Sequence, residues 1–251
     1  MINHKHKFIF VHIPHTAGTS IEEAFGWYIP NESKEITNEE FVLIKDRHLT
    51  GAQSKRKYKK YWDDYFVFTI VRNPFDFLVS NWASSSDYID VKNRYASYGK
   101  YLGDEIIYKR RERRFSSSSD RDLLERMGLS IDKIYFKDYV NACIDYKRNL
   151  NQTSMLGDLG RYDFIGKFED IENSWQYICK ELGVEIILGN SNPTFNLKKK
   201  HYSHWYTKDI ELIDKSIPIL DDELIDRVAD YCSRDLETFD YKFDYEEYAK
   251  Q

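Results

Sequence analysis

The stretch FIFVHIPHTAGTSIEEAFG, Phe8 to Gly26, runs a compact apolar segment straight into Pro-His-Thr-Ala-Gly-Thr-Ser and then into a helical pattern. Phe8–Ile13 is rich in aromatic and β-branched residues and is bounded by Pro14, which predicts a buried strand ending in a turn. Thr19–Tyr28 predicts a helix, with Thr16, Thr19 or Ser20 as its cap. Glu22 and Glu23 are expected in its first turn, where the helix dipole favours acids. A turn between a strand and a helix presents unpaired backbone N–H groups and the positive end of the dipole, a ready anion site. Gly18 lets the backbone approach closely, and Thr16, Thr19 and Ser20 add hydroxyl donors. The segment is not a Walker A loop, which needs a second Gly and a Lys before Ser or Thr, and this weakens an ATPase reading. Taken alone, the loop leaves an ordinary Thr-capped turn open as the alternative.

The pattern then repeats. Tyr65–Val71, YFVFTIV, is a second continuous apolar run, stopped by Arg72-Asn73-Pro74 before a helical pattern over Phe75–Trp82. Strands that are apolar throughout, rather than alternating, predict an α/β domain with a central parallel sheet covered on both faces. Arg72 follows the strand directly, where a guanidinium can fork onto a phosphate. Ser80 lies eight positions further, about two helical turns away. A structural ion pair is the alternative for Arg72. Two anion-type turns at neighbouring strand ends suit a ligand with two separated phosphates.

Elsewhere the chain is read more coarsely. From Ser84 to about Gly128 periodicity dissolves into Ser, Tyr, Asp and Arg, the pattern of a substrate-binding insertion or lid, or of a partly disordered loop. Ile131–Tyr146 predicts a helix and Tyr162–Phe168 a short strand. Glu172–Leu182 predicts a helix ended by Gly183, and GVEIILG a further short strand. Lys208–Ile217 and Asp222–Phe239 predict closing amphipathic helices.

At 251 residues and 41% hydrophobic content the chain can fill one core, so a single domain over 1–251 is expected. A net charge of -5 argues against a nucleic-acid partner, which normally needs a broad basic surface. Positive charge is local, in Lys55–Lys60, Lys109–Arg114 and Lys198–His201; such runs are usually solvated faces. Cys143, Cys179 and Cys232, widely spaced and outside any C-x-x-C pattern, are expected as buried thiols of a reducing compartment. The N-terminal apolar run, interrupted by His12, is too short for a signal segment or a membrane span. A cytoplasmic protein with no membrane span is the expectation.

HIPHTAGTSI followed by FTIVRNPFDFLVSNW resembles the 5′-phosphosulfate loop and the 3′-phosphate motif of sulfotransferases, specifically the carbohydrate sulfotransferases related to heparan sulfate 2-O-sulfotransferase. NQTSMLG (Asn151–Gly157), YDFIGKFEDIENSW (Tyr162–Trp175) and YCSRDLETFDY (Tyr231–Tyr241) are also similar to that family, so the likeness spans nearly the whole chain. The resemblance implies a P-loop-like single α/β domain with a central parallel sheet flanked by helices. It implies 3′-phosphoadenosine 5′-phosphosulfate (PAPS) as donor and 3′,5′-phosphoadenosine (PAP) as product, with no metal. The 5′ end would lie over Pro14, His15, Thr16, Ala17, Gly18, Thr19 and Ser20, and the 3′-phosphate against Arg72 and Ser80. Lys198, Lys199 and Lys200 fall where the family places a late loop over the nucleotide. The lack of a membrane anchor separates the chain from Golgi relatives and suggests a bacterial or viral source.

Sulfuryl transfer to an alcohol is an in-line displacement that needs a base, donors for the sulfonate oxygens and positive charge for the departing phosphate. The family carries a histidine between the first loop and the Arg motif, which makes His48 the expected base. The family's usual Lys after the loop's Pro is His15 here. Its expected role is leaving-group acid or donor, with the rate falling as it deprotonates at high pH; a neighbouring phosphate favours the imidazolium. The expected acceptor is a saccharide or glycoconjugate hydroxyl. Arg110, Arg111, Arg113 and Arg114 suit a polyanion and Tyr88, Tyr95, Tyr98 and Tyr101 suit sugar faces, with a solvated helix and tyrosines that cover the core as the alternative; an aromatic-rich surface serves a homodimer as easily as a sugar. Two rivals stay open: a nucleotide- or glycan-binding protein that has lost catalysis, and a P-loop small-molecule kinase, whose Walker Lys and acidic metal ligand are not evident.

Overall fold

The computed structural model describes residues 1–26, 46–85, 136–189 and 221–243. The chain groups into two compact units, each drawn from three stretches: Met1–Asn73, Asn151–Asn192 and Arg234–Tyr241 in the first, and Pro74–Leu150, Pro193–Ser233 and Lys242–Gln251 in the second.

The first unit holds a four-stranded sheet in the order β1 (Ile2–Asn3), β2 (Phe8–Phe10), β3 (Phe66–Val71) and β4 (Phe164–Lys167). β1 is antiparallel to β2, whereas β2, β3 and β4 are parallel, with Phe10 beside Phe68 and Phe68 beside Phe164. The apolar runs form strands because both faces are covered. Phe8, Phe10, Phe68 and Ile70 point to one face, Ile9, Val67 and Val71 to the other, and all are buried. On the first face they pack with Ile21 of helix α1 (Gly18–Ala24) and with Trp175 and Ile178 of a later helix, Ile171–Leu182. The remaining helices of this unit are α2 (Gly51–Lys57), α5 (Gln152–Leu156), α6 (Ile171–Leu182) and α8 (Ser233–Phe239). Gly183 closes α6 in the left-handed conformation, as its position in the sequence predicts.

The second unit contains α3 (Pro74–Ser85), α4 (Phe136–Asp145) and α7 (Asp222–Tyr231), with α4 packed against both others. Buried Tyr139, Val140 and Cys143 of α4, and Leu224, Ile225 and Val228 of α7, make its core. Lys137 pairs with Asp221 and Glu223, at 2.8 and 2.9 Å. All three cysteines are buried thiols.

Several expectations change. β2 is shorter than Phe8–Ile13, because the turn after Val11 lifts the chain off the ladder; Val11 N still donates to Phe68 O at 3.0 Å. GVEIILG does not join the sheet among the described residues. Val184, Ile186 and Leu188 face the core, and the Ile186 carbonyl accepts the Trp175 indole N–H at 2.8 Å. The helix predicted over Asp222–Phe239 is two, broken at Cys232, where the chain passes between units. Among the described residues no helix is long and apolar enough to cross a membrane.

Candidate active site

In a parallel sheet the C-terminal ends of the strands share one edge, so the turn after β2 and the residue after β3 are neighbours. The first turn is unusual in its backbone. His15 and Ala17 both have a φ of 65°, in the left-handed region that non-glycine residues seldom occupy. Such turns align successive N–H groups into an anion-binding concavity. The cap of α1 is Ala17, with no side-chain cap bond, in place of the expected Thr16, Thr19 or Ser20. The Thr16 hydroxyl instead donates to the Ile13 carbonyl at 2.7 Å, tying the turn to itself. Gly18 is required by close approach: a Cβ there would lie 1.8 Å from Nε2 of His12.

Arg72 completes this edge. Its side chain is 1% exposed. One terminal nitrogen donates to the His15 carbonyl at 3.0 Å, and the guanidinium lies 4.2 Å over the Phe168 ring. Nε and the other terminal nitrogen are buried with no hydrogen-bond partner among the described residues. The backbone is held from behind. Gln152 accepts from Arg72 N at 2.9 Å and donates to Arg72 O at 2.6 Å. Asp235, fully buried, accepts from Gln152 N at 2.6 Å, Thr153 N at 2.9 Å and the Thr153 hydroxyl at 2.7 Å. Every bond in this bracket serves to hold one arginine whose own side chain is left with spare donors.

Beside the turn lies a second charged group. Nδ1 of His12 is 2.8 Å from Glu22 Oε1, and Arg47 binds both oxygens of the same carboxylate, Nε at 2.9 Å and a terminal nitrogen on Oε2. Glu22 is therefore not a first-turn acid facing the dipole; α1 starts earlier than predicted, at Gly18, and Glu22 turns inward. Burial alone would raise the Glu22 pKa, but the hydrogen bonds from His12 and Arg47 and the Arg47 charge outweigh it and hold the carboxyl below its usual range. Burial pushes His12 down against the pull of Glu22, so this ring is neutral.

His48 packs on His12 with ring centroids 4.8 Å apart. Lost hydration, then the neighbouring His12 ring and the Arg47 charge, push it down to about 4, opposed by Glu22 and by a hydrogen bond to the His12 backbone. His48 is nevertheless exposed on one side, which moderates the loss of hydration while leaving a neutral ring open to solvent at pH 7. Its segment is pinned by Asp46, which accepts the Tyr58 hydroxyl at 2.7 Å and pairs with Lys57. Among the described residues no group of three or more His, Cys, Asp or Glu side chains is placed to hold a metal ion.

The profile of the Sulfotransferase family matches residues 1–242. The chain belongs to the sulfotransferase family. No curated protein and no solved structure matches it.

For a sulfotransferase, the distribution of the expected residues is informative. The first unit brings together Pro14–Ser20, Arg72 and, through His12, His48. Ser80 belongs to α3 in the second unit, where its hydroxyl is buried without a hydrogen-bond partner among the described residues. Lys198, Lys199 and Lys200 lie outside the described residues, as do Arg110–Arg114 and the tyrosines named with them. The sequence reading misses the roles of His12, Glu22, Arg47, Gln152 and Asp235. The signal available for His12 was a polar residue interrupting an otherwise apolar strand run. Helix α2 was missed too, although Thr50 and Gln53 form a capping box.

Proposed function

We propose that this sulfotransferase moves a sulfuryl group from PAPS to a hydroxyl of a saccharide or glycoconjugate. The observation that carries the donor reading is Arg72: a buried guanidinium with two unpartnered nitrogens is costly unless an anion completes it. The adjoining turn, with its two left-handed residues and close-packed glycine, has the donor chemistry a second phosphate requires. These residues fit a nucleotide with separated phosphates, and PAPS supplies a sulfuryl group on a phosphate leaving group. Arg72 would hold the 3′-phosphate; Ser80 and Lys198–Lys200 are further contacts only on the strength of the sequence resemblance. Backbone N–H groups of Pro14–Ser20, the proline excepted, would hold the 5′ end.

In this mechanism His48, neutral at pH 7, takes the proton from the acceptor hydroxyl as the alcohol oxygen attacks. His15 donates to the departing phosphate oxygen in place of the family's Lys. The carbohydrate acceptor rests on the resemblance of the sequence motifs. His15 also favours a second reading, a nucleotide- or glycan-binding protein without turnover. Incubation with PAPS and a panel of uronic-acid glycans, neutral oligosaccharides and simple alcohols, read by mass spectrometry, separates them. Sulfated glycan with equimolar PAP is the expected result; PAPS bound but never consumed with any acceptor would favour the second reading.

A further inference from the structure

Glu22 is buried and its carboxylate is taken up inside the protein, because three nitrogens converge on it. A buried carboxylate whose countercharge is Arg47 needs no second cation, so His12 meets it as a neutral ring donating from Nδ1. With the proton on Nδ1, the His12 Nε2 is the bare nitrogen, and it is the atom packed against Gly18. His12 thereby has one orientation and one tautomer.

His48 inherits that order. Its ring lies against the His12 ring and bonds the His12 backbone, and this bond favours the protonated nitrogen. The nitrogen that makes it therefore carries the hydrogen, and the other carries the lone pair. The charged or titratable groups facing His48 are His12, Arg47 and Glu22; those facing His12 are Glu22, Arg47 and the Met1 amino group. We propose that Glu22 and Arg47, by fixing the His12 ring on which His48 rests, are positioning residues that hold the ring orientation of His48 and with it the bond to the His12 backbone. The inference rests on the reading of His48 as the base of sulfuryl transfer.

The test is two-bond 15N–1H correlation on selectively 15N-histidine-labelled protein, with the seven histidines assigned by substitution. In the unsubstituted protein His12 and His48 should each show one neutral tautomer at pH 7, and His48 should stay neutral down to about pH 5. In Arg47→Gln the Glu22 carboxylate loses its bidentate partner, the His12 ring is no longer held in one place, and His48 should show averaged shifts of two tautomers. In Glu22→Gln His12 should stay neutral while His48 shows averaged shifts of two tautomers. With an acceptor found, Arg47→Gln should lower turnover by about tenfold or more, with PAP affinity within about twofold of the unsubstituted protein. Mixed tautomers of His48 in the unsubstituted protein, or one unchanged His48 tautomer in Arg47→Gln, would overturn the proposal. Arg47 is only half-buried, so the test does not depend on Glu22→Gln folding. The predicted spectra from a protein that transfers no sulfuryl group would uphold the positioning and remove only the base reading.

Discussion

Glu22 and Arg72 are each 1% exposed, and their hydrogen bonding is opposite. The Glu22 carboxylate is saturated, held by His12 and by both arms of Arg47. Arg72 has one nitrogen on the His15 carbonyl and two on nothing. Burial costs an ion several kcal/mol unless partners replace its water, so a fold that leaves one ion saturated and another open has made them for different purposes. The first is a finished internal contact that orders histidines. The second is an open binding group.

The largest effect should come from breaking the saturated partner. Glu22→Ala strands Arg47 and removes the acceptor of His12, and should cost about 3 kcal/mol in urea unfolding. Arg72→Met should behave in the reverse sense. It should leave stability within about 1 kcal/mol of the unsubstituted protein, because the lost bond to His15 is offset by removing two unpaired buried donors. Its PAP affinity should nevertheless fall roughly a hundredfold, as expected for losing charge-assisted bonds to a phosphate. If Arg72→Met unfolds the protein as Glu22→Ala does, the contrast between the two ions fails.

Gly18→Ala sharpens the comparison from the loop side. Its new Cβ would overlap the His12 ring, whose place is fixed by Glu22, so neither group can yield cheaply. A loss of about 1–3 kcal/mol is expected, together with weaker PAP binding. Full stability of the Gly18→Ala protein would mean that the His12 clamp is loose.

The smallest effect is a pH dependence. His12 and His48 both have folded values below the ordinary 6.5, so between that pH and the folded values the unfolded chain binds protons that the folded chain does not. Stability should therefore decline as pH falls from about 6.5 toward 4. The Glu22 contribution is present above its ordinary value of 4.5 and is lost as pH falls through its lowered folded value. Urea titrations at several pH values should show this slope, and it should be shallower in His48→Asn.

What the sequence conveys of this arrangement follows the range of the interactions. Continuous apolar runs announce β2 and β3, since a strand buried on both faces has no polar alternation to hide it. The turn chemistry of Pro14–Ser20 and the Gly183 stop of α6 are equally local. The Glu22–Arg47 pair is not, because an acid five residues into a helix has an ordinary use at the surface and its partner lies 25 positions away. The bracket behind Arg72 joins residues 80 or more positions apart by a few isolated hydrogen bonds, which leave no periodicity to read. β1, two residues long, is too short to carry a pattern. The seven-residue α2 was legible only through its cap.

The claim that Arg72 and the neighbouring turn form a donor site is tested most directly by nucleotide-induced stabilisation. Melting temperatures would be compared with PAP, AMP, and ATP with magnesium at matched concentrations. A ligand at roughly a hundredfold its dissociation constant stabilises by about 2.7 kcal/mol; such a shift is expected for PAP, a small one for AMP, and only about 0.4 kcal/mol for PAP with Arg72→Met, whose affinity is about a hundredfold lower. No shift with PAP, or a larger one with ATP and magnesium, would contradict it.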